Sequence, residues 1–337
     1  MKPICVGRWV LAASFLLAAC AGPLESRPAD AAGPEQLQIT ARPVTLDPRD
    51  PGRTQVGRLV FRGGVSLTAN DGRFGGMSDF DISEDGTRLT AISDRGFWLE
   101  AALAYDEGGA ISGLGDARLG MLLNLGGRRQ PGLSGDAEGL SRAPDGSFFV
   151  SYERRSRIWL YPAAEPPFSR TPRIVPPPPG AARIPENGGM EALVRLPGGR
   201  LFVLTEDFTN DRGETVGWIG DGRTWQTLSY VPGPDFKPTG AARLPDGDVL
   251  VLERRFTRLG VPGARITRVR AEDIEAGARL VGDELALIEP PLALDNFEGI
   301  VAREGPDGRT LVYLLSDDNY FFLQRTLLLS FELPSGP

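Results

Sequence analysis

GDAEGLSRAPDGSFFVSYERR, residues 135–155, reads as a single hairpin. It has a small, acidic start, an apolar strand, an Asp145-Gly146 turn, a second apolar strand and an acid at the end. The same pattern recurs at residues 75–95, 188–207, 237–255 and 296–319. The turn glycines are Gly86, Gly146, Gly199, Gly247 and Gly308, spaced by 60, 53, 48 and 61 residues. Long-period repeats of one supersecondary unit belong to solenoids, arrays and propellers. A hairpin uses about twenty residues. The rest of each repeat holds further strands, such as Arg157–Tyr161, Thr215–Ile219, Thr227–Val231, Arg265–Val269 and Glu284–Ile288. Four strands per repeat make a propeller blade. The expected fold is therefore all-β, a β-propeller of five or six blades. Five follow from the hairpins, and six if residues 38–75 supply a blade of their own.

The chain ends fit a closed ring. Thr326–Leu333 is a last strand with no hairpin after it, and residues 38–46 and 57–67 are strands with no repeat before them. Pairing the N- and C-terminal strands in one blade removes exposed edges. An open β-sandwich is the alternative, but it has no reason to repeat the turn. Pro162–Pro185, with Pro176 to Pro179 consecutive, is expected to be surface loop. Ala271–Ala276 is expected to form one short helical turn.

Composition narrows the chemistry. The 337 residues carry a net charge of −7, which argues against nucleic acid as a partner. There are no histidines, which excludes Ser-His-Asp and Cys-His sites, histidine-ligated zinc and histidine general bases. Apart from Lys2 and Lys237, the positive charge is all arginine, which suits bidentate capture of phosphate or carboxylate and also follows from genome composition alone.

Residues 1–19 read as a secretory leader. Lys2 and Arg8 give a positive start, and the apolar run Trp9–Ala19 is too short to span a bilayer. Leu17-Ala18-Ala19-Cys20 resembles the lipobox of bacterial lipoproteins. The resemblance implies cleavage before Cys20, lipidation of that residue and attachment to the envelope facing the periplasm. With Ala21 next, the outer membrane is favoured over the inner. Cys5 leaves with the leader, so no disulfide forms within the mature chain. Residues 20–37 read as lipidated cysteine and flexible tether, and 38–337 as one propeller domain, expected to be monomeric.

The hairpin arms place acids. Glu138 and Glu153 are each 7.5 positions from the turn centre, and so are Glu191 and Glu206. Glu298 and Asp317 are each 9.5 positions away. Equidistant positions face each other across an antiparallel hairpin, ~5 Å apart at Cβ. Asp79 and Asp94 are less symmetric, at 6.5 and 8.5. Repeat four departs: Thr239 replaces the opening acid, Glu253 is taken as the closing one, and Lys237 lies just upstream. In a propeller the first strand of each blade lines the central channel, so these acids meet at one mouth. Like charges that crowded do not all ionise uncompensated. Either arginines of neighbouring blades pair with them, as a purely structural arrangement, or a hard cation binds. A flexible carboxylate ring suits Ca²⁺ better than Mg²⁺. The candidate metal ligands are Asp79, Glu138, Glu153, Glu191, Glu206, Glu253, Glu298 and Asp317. The turn residues Asp85, Asp145, Asp246 and Asp307 are read as structural and on the opposite face.

The repeats resemble the bacterial phytase-like family, known as "esterase-like activity of phytase". The resemblance rests on Gly75-Gly76-Met77-Ser78, Ser93-Asp94-Arg95, Asp136-Ala137-Glu138-Gly139-Leu140, Asn187-Gly188-Gly189-Met190-Glu191, Pro238-Thr239-Gly240, Leu252-Glu253-Arg254-Arg255-Phe256, Asn296-Phe297-Glu298-Gly299 and Ser316-Asp317-Asp318-Asn319. These span about residues 57–334. The resemblance implies a propeller, and by analogy with β-propeller phytases a Ca²⁺ that clamps a phosphate and activates water. Glu138, Glu191, Glu298 and Asp94 would be catalytic. Lys237, Arg95, Arg154 and Arg254 would steady a small anionic or ester substrate. The chain lacks the lysine-rich substrate face of those phytases, which tells against inositol phosphates. Two other readings stand beside this one: a non-catalytic, lipid-anchored binding or envelope assembly module, and a lactonase-like metal propeller.

Overall fold

The D-G turns form through the chemistry the sequence carries. The side chains of Asp85, Asp145, Asp246 and Asp307 each accept the backbone N–H two residues on. The glycines after them take positive φ, between 75° and 99°, which a side chain would strain. Blade three replaces the aspartate with Gly198-Gly199, both also at positive φ.

The computed structural model describes residues 33–334 except 131 and 256–260. The leader, Cys20 and most of the tether lie outside the described residues. Five antiparallel-hairpin sheets surround a central channel, so the five-bladed alternative holds and no sixth blade forms. The inner strands are Met77–Ile82, Ala137–Arg142, Met190–Arg195, Lys237–Arg243 and Asn296–Glu304. The second strands are Arg88–Ser93, Phe148–Tyr152, Leu201–Thr209, Val249–Arg255 and Thr310–Asp317. Blade five contains Thr326–Leu333 paired to Leu59–Ala69 from the other end of the chain, with Leu328 opposite Val65 and Thr326 opposite Leu67. The expected closure is thus present, and Ile39–Pro43 extends the same sheet.

Two local expectations are corrected and a third, the short helical turn, holds. Glu35–Leu37, within the stretch read as tether, is an edge strand on Ile111–Met121 of blade one. The proline-rich stretch is not all loop, because Arg173–Val175 is the outermost strand of blade two, with Val175 buried. An outer edge is where nearby prolines, which cannot donate ladder hydrogen bonds, are tolerated. The loop beyond it is tied down by Trp218 and Trp225, whose indole N–H groups donate to the carbonyls of Pro179 and Pro176. The turn at 271–276 is a 3₁₀ turn over Ala271–Asp273. No described helix is long and apolar enough to cross a membrane.

The core lies between the blades. Leu250, Leu252, Ile266, Phe297, Leu314 and Leu329 form one cluster, and Val65, Leu67, Phe80, Leu89, Tyr313 and Leu328 another. The closing strand Thr326–Leu333 serves both, since Leu328 faces blade one and Leu329 faces blade four. Leu329→Ala should therefore cost about 2–5 kcal/mol, because the ring cannot collapse around the hole. Thermal or urea unfolding checks this, and a loss well under 1 kcal/mol would show the closing strand to be expendable.

Candidate metal centre

Every inner strand carries a β-bulge at the same place. The ladders skip between Met77 and Asp79, Ala137 and Leu140, Met190 and Ala192, Pro238 and Gly240, and Phe297 and Gly299. The bulged residues are Ser78, Glu138, Glu191, Thr239 and Glu298. A bulge leaves one residue unpaired, re-aims its side chain and is common beside active sites. It also shifts the partners by one. Glu153 lies opposite Asp136, Glu206 opposite Gly189, and Asp94 opposite Gly76. Asp317 lies opposite Asn296 and Arg254 opposite Lys237.

This register corrects the counting of arms. Glu138 and Glu153 share an end but are not directly opposed, and the same holds for Glu191 with Glu206 and Glu298 with Asp317. Two expected ligands leave the ring. Asp79 is one step past the bulge, and its buried carboxylate accepts N–H groups from Phe80 and from Leu140 of blade two, tying two blades together. Glu253 is fully buried against Arg265, Tyr230 and the N–H of Gly233. The closing position of blade four is Arg254, so this blade brings a cation where the others bring acids.

The mouth therefore gathers Asp94, Glu138, Glu153, Glu191, Glu206, Glu298 and Asp317 around one guanidinium. Arg254 donates to Glu298 of blade five, to Glu206 of blade three (2.8 Å) and to the side-chain oxygen Oδ1 of Asn296. The Asn296 amide also donates to Glu298 at 2.8 Å. Glu153 accepts the N–H of Gly188 at 2.6 Å, bridging blades two and three. The tightest acid group is Asp136, Glu138 and Glu153, whose ligand oxygens all lie within 4.8 Å of one another. Asp136 was not among the expected ligands, because only the bulge sets it opposite Glu153. It also accepts Arg154 Nε at 2.6 Å.

The electrostatics follow from this crowding. Burial pushes the carboxyls of Glu138 and Glu191 well above the usual range, with neighbouring carboxylates adding to it, Glu191 foremost for Glu138 and Glu206 for Glu191. Burial raises Glu298 to about 7 even with Arg254 beside it. It raises Asp317 to about 8, with Glu298 contributing, and Asp94 to about 6, with Asp136 contributing. Asp94 Oδ1 is buried with no hydrogen-bond partner among the described residues. Eight carboxylates met by Arg254 and Arg154, with one orphaned oxygen among them, fit a hard divalent cation.

The expected anion-binding cations are mostly committed. Arg154 pairs with Asp136, Arg254 with Glu298 and Glu206, and Lys237 with Asp207 at 2.9 Å. Arg95 is exposed and stacks 3.2 Å above the Tyr320 ring. Lys237 and Arg254 nevertheless line a cleft of about 640 Å³ beside the ring, together with Phe236, Asn296, Asn319 and Gln324.

Residues 72–320 match the profile of the Phytase-like family, described as esterase-like activity of phytase. No protein of curated function matches the chain. Similar solved structures include an α-L-arabinofuranosidase from Podospora anserina in complex with cellotriose, 14% identical with a TM-score of 0.49, covering 90% of this chain and 98% of that one. An endo-arabinase from Bacteroides thetaiotaomicron is 10% identical with a TM-score of 0.46, covering 76% and 93%. The PQQ-bound aldose sugar dehydrogenase from Streptomyces coelicolor is 11% identical with a TM-score of 0.43, covering 89% and 99%.

A pH experiment tests the crowding. Unfolded, the carboxyls of Asp94, Glu298 and Asp317 titrate near 4, whereas folded they titrate near 6, 7 and 8. Ionisation thus opposes folding, and stability present below pH 4 is lost as pH rises through 8. In chelator, the melting temperature should fall from pH 5 to pH 8.5. Glu191→Gln, which removes one of the crowded charges, should recover roughly 1–3 kcal/mol at the alkaline end. A flat profile, or a destabilising Glu191→Gln at pH 8.5, would contradict the crowding.

Proposed function

The chain belongs to the Phytase-like family, and from that membership and the acid mouth we propose a metal-dependent hydrolase of phosphoesters or related esters, with Ca²⁺ as the cation. The observation that carries this is a set of eight carboxylates from four blades, Asp136 included, met by Arg254 from the remaining blade and by Arg154 at Asp136. Asp136, Glu138 and Glu153 would hold the ion, with Glu191 completing its shell. When bound, a hard divalent cation supplies Lewis acidity, polarising a phosphoryl or carbonyl oxygen and acidifying water.

The chain's own residues supply the rest. Arg254 fixes the rotamers of Glu206 and Glu298 by donating to both, so these carboxylates do not swing together and pair. Glu298, with Arg254 and Asn296 on one oxygen, keeps its other oxygen available to accept a proton from the attacking water. The cleft beside blade four would seat the substrate, with Asn296, Asn319 and Gln324 as neutral hydrogen-bonding groups. Since Lys237 is its one lysine and is shared with Asp207, the cleft suits a substrate of low charge better than a polyphosphate. Lipid attachment through Cys20 would hold this mouth among periplasmic solutes, at the outer membrane.

The test is turnover of phosphomonoesters, phosphodiesters, aryl esters and lactones with and without calcium. At least one class should be hydrolysed, with activity abolished by chelator and restored by calcium. Glu191→Gln should lower kcat/KM by about 10²-fold or more while the protein stays folded. Turnover indifferent to chelator contradicts the metal. No turnover in any class favours the non-catalytic binding module.

A further inference from the structure

The channel has a second end, and arginines surround it. The hairpins of blades two to five carry an arginine just before the turn: Arg142, Arg195, Arg243 and Arg303. The first three occupy one register position, opposite Phe148, Leu201 and Val249, the first residues of the next strands. All four line a cavity of about 420 Å³ formed by the last residues of the five inner strands. The carboxylates lining it are Asp81, Glu84 and Glu304.

Among the described residues, Arg142 alone of these four arginines pairs with one of those acids. Arg142 pairs with Asp81 at 2.9 Å and lies over the Phe148 ring. The Arg303 guanidinium donates, among the described residues, to neutral oxygens, the Tyr313 hydroxyl and the Glu304 carbonyl. Among the described residues, Arg195 and Arg243 have no side-chain hydrogen bond or ion pair, and they stand on adjacent inner strands. The turns make room for the guanidinium groups. That of Arg195 lies 3.0 Å from where a Cβ on Gly199 would be, and that of Arg303 lies over Gly86, closer still. A guanidinium held by shape and by neutral contacts keeps its N–H fork free for a planar or tetrahedral oxyanion.

We propose that this end of the channel binds a small oxyanion of the carboxylate or phosphate class between Arg195, Arg243 and Arg303. The site is separate from the acid mouth: it lies on the turn face, and its ligand carries the opposite sign. Asp81 and Glu84, on the blade-one side, would keep highly charged polyanions out.

Calorimetric titration of the full chain with inorganic phosphate, and separately with succinate, tests this and tells the two anion sources apart. One saturable equivalent of at least one anion is expected. Arg243→Gln and Arg195→Gln should each weaken it roughly tenfold or more, the loss of one charge-assisted hydrogen bond. Arg173→Gln, on the outer strand of blade two, should leave it unchanged. Arg243 makes no side-chain bond among the described residues, so its variant should melt like the wild type. Saturable binding of neither anion overturns the proposal, as does equal binding by both arginine variants. Loss of binding in Glu191→Gln also overturns it, because that would put the anion at the acid mouth.

Discussion

One extra residue in each inner strand governs the mouth of this propeller. Without the bulge, the ladder would run straight to the open end, and Glu138, Glu191 and Glu298 would point into the sheet packing as Asp79 does. With it, each bulged residue leaves the ladder and the closing residue slips one place on the opposite strand. Five blades repeating the same slip converge ten positions: three bulged glutamates, Ser78 and Thr239, four closing acids and Arg254. The fold thereby concentrates negative charge where burial makes it costly.

That cost accounts for the network around it. Arg254 reaches two blades at once because Glu206 and Glu298 both need a counter-charge. Glu153 accepts the backbone N–H groups of Gly188 and Gly189 on one oxygen, Oε1, and keeps the other for a cation. A Cβ on Gly189 would lie 3.0 Å from Glu153 Cγ, so glycine there leaves the room the Glu153 side chain needs. What these contacts leave uncompensated, chiefly Glu138, Glu191 and Asp94, is the room a cation would fill. The turn face has the reverse arrangement, with arginines in excess of the acids that pair with them.

Much of the architecture was legible because it rests on local chemistry repeated five times. A D-G turn dictates its own geometry through an aspartate cap and a left-handed glycine, so each hairpin announces itself. Ring closure was legible from strands left unpaired at both ends. The bulges were not, since counting outward from a turn assumes an unbroken ladder. That assumption put Asp79 in place of Ser78, Glu253 in place of Arg254, and left Asp136 out. The arginine end went unseen for another reason: an arginine beside a turn looks like any solvated residue until the blades are assembled and it faces its equivalents across the channel.

The central claim is that the acid mouth holds a cation. Equilibrium dialysis against radioactive calcium at neutral pH tests it most directly, comparing the wild type with Glu138→Gln/Glu191→Gln. The account predicts at least one calcium retained per wild-type chain and its loss in the double variant, which should remain folded because crowding is relieved. Calcium retained equally by both proteins, or by neither, would contradict it.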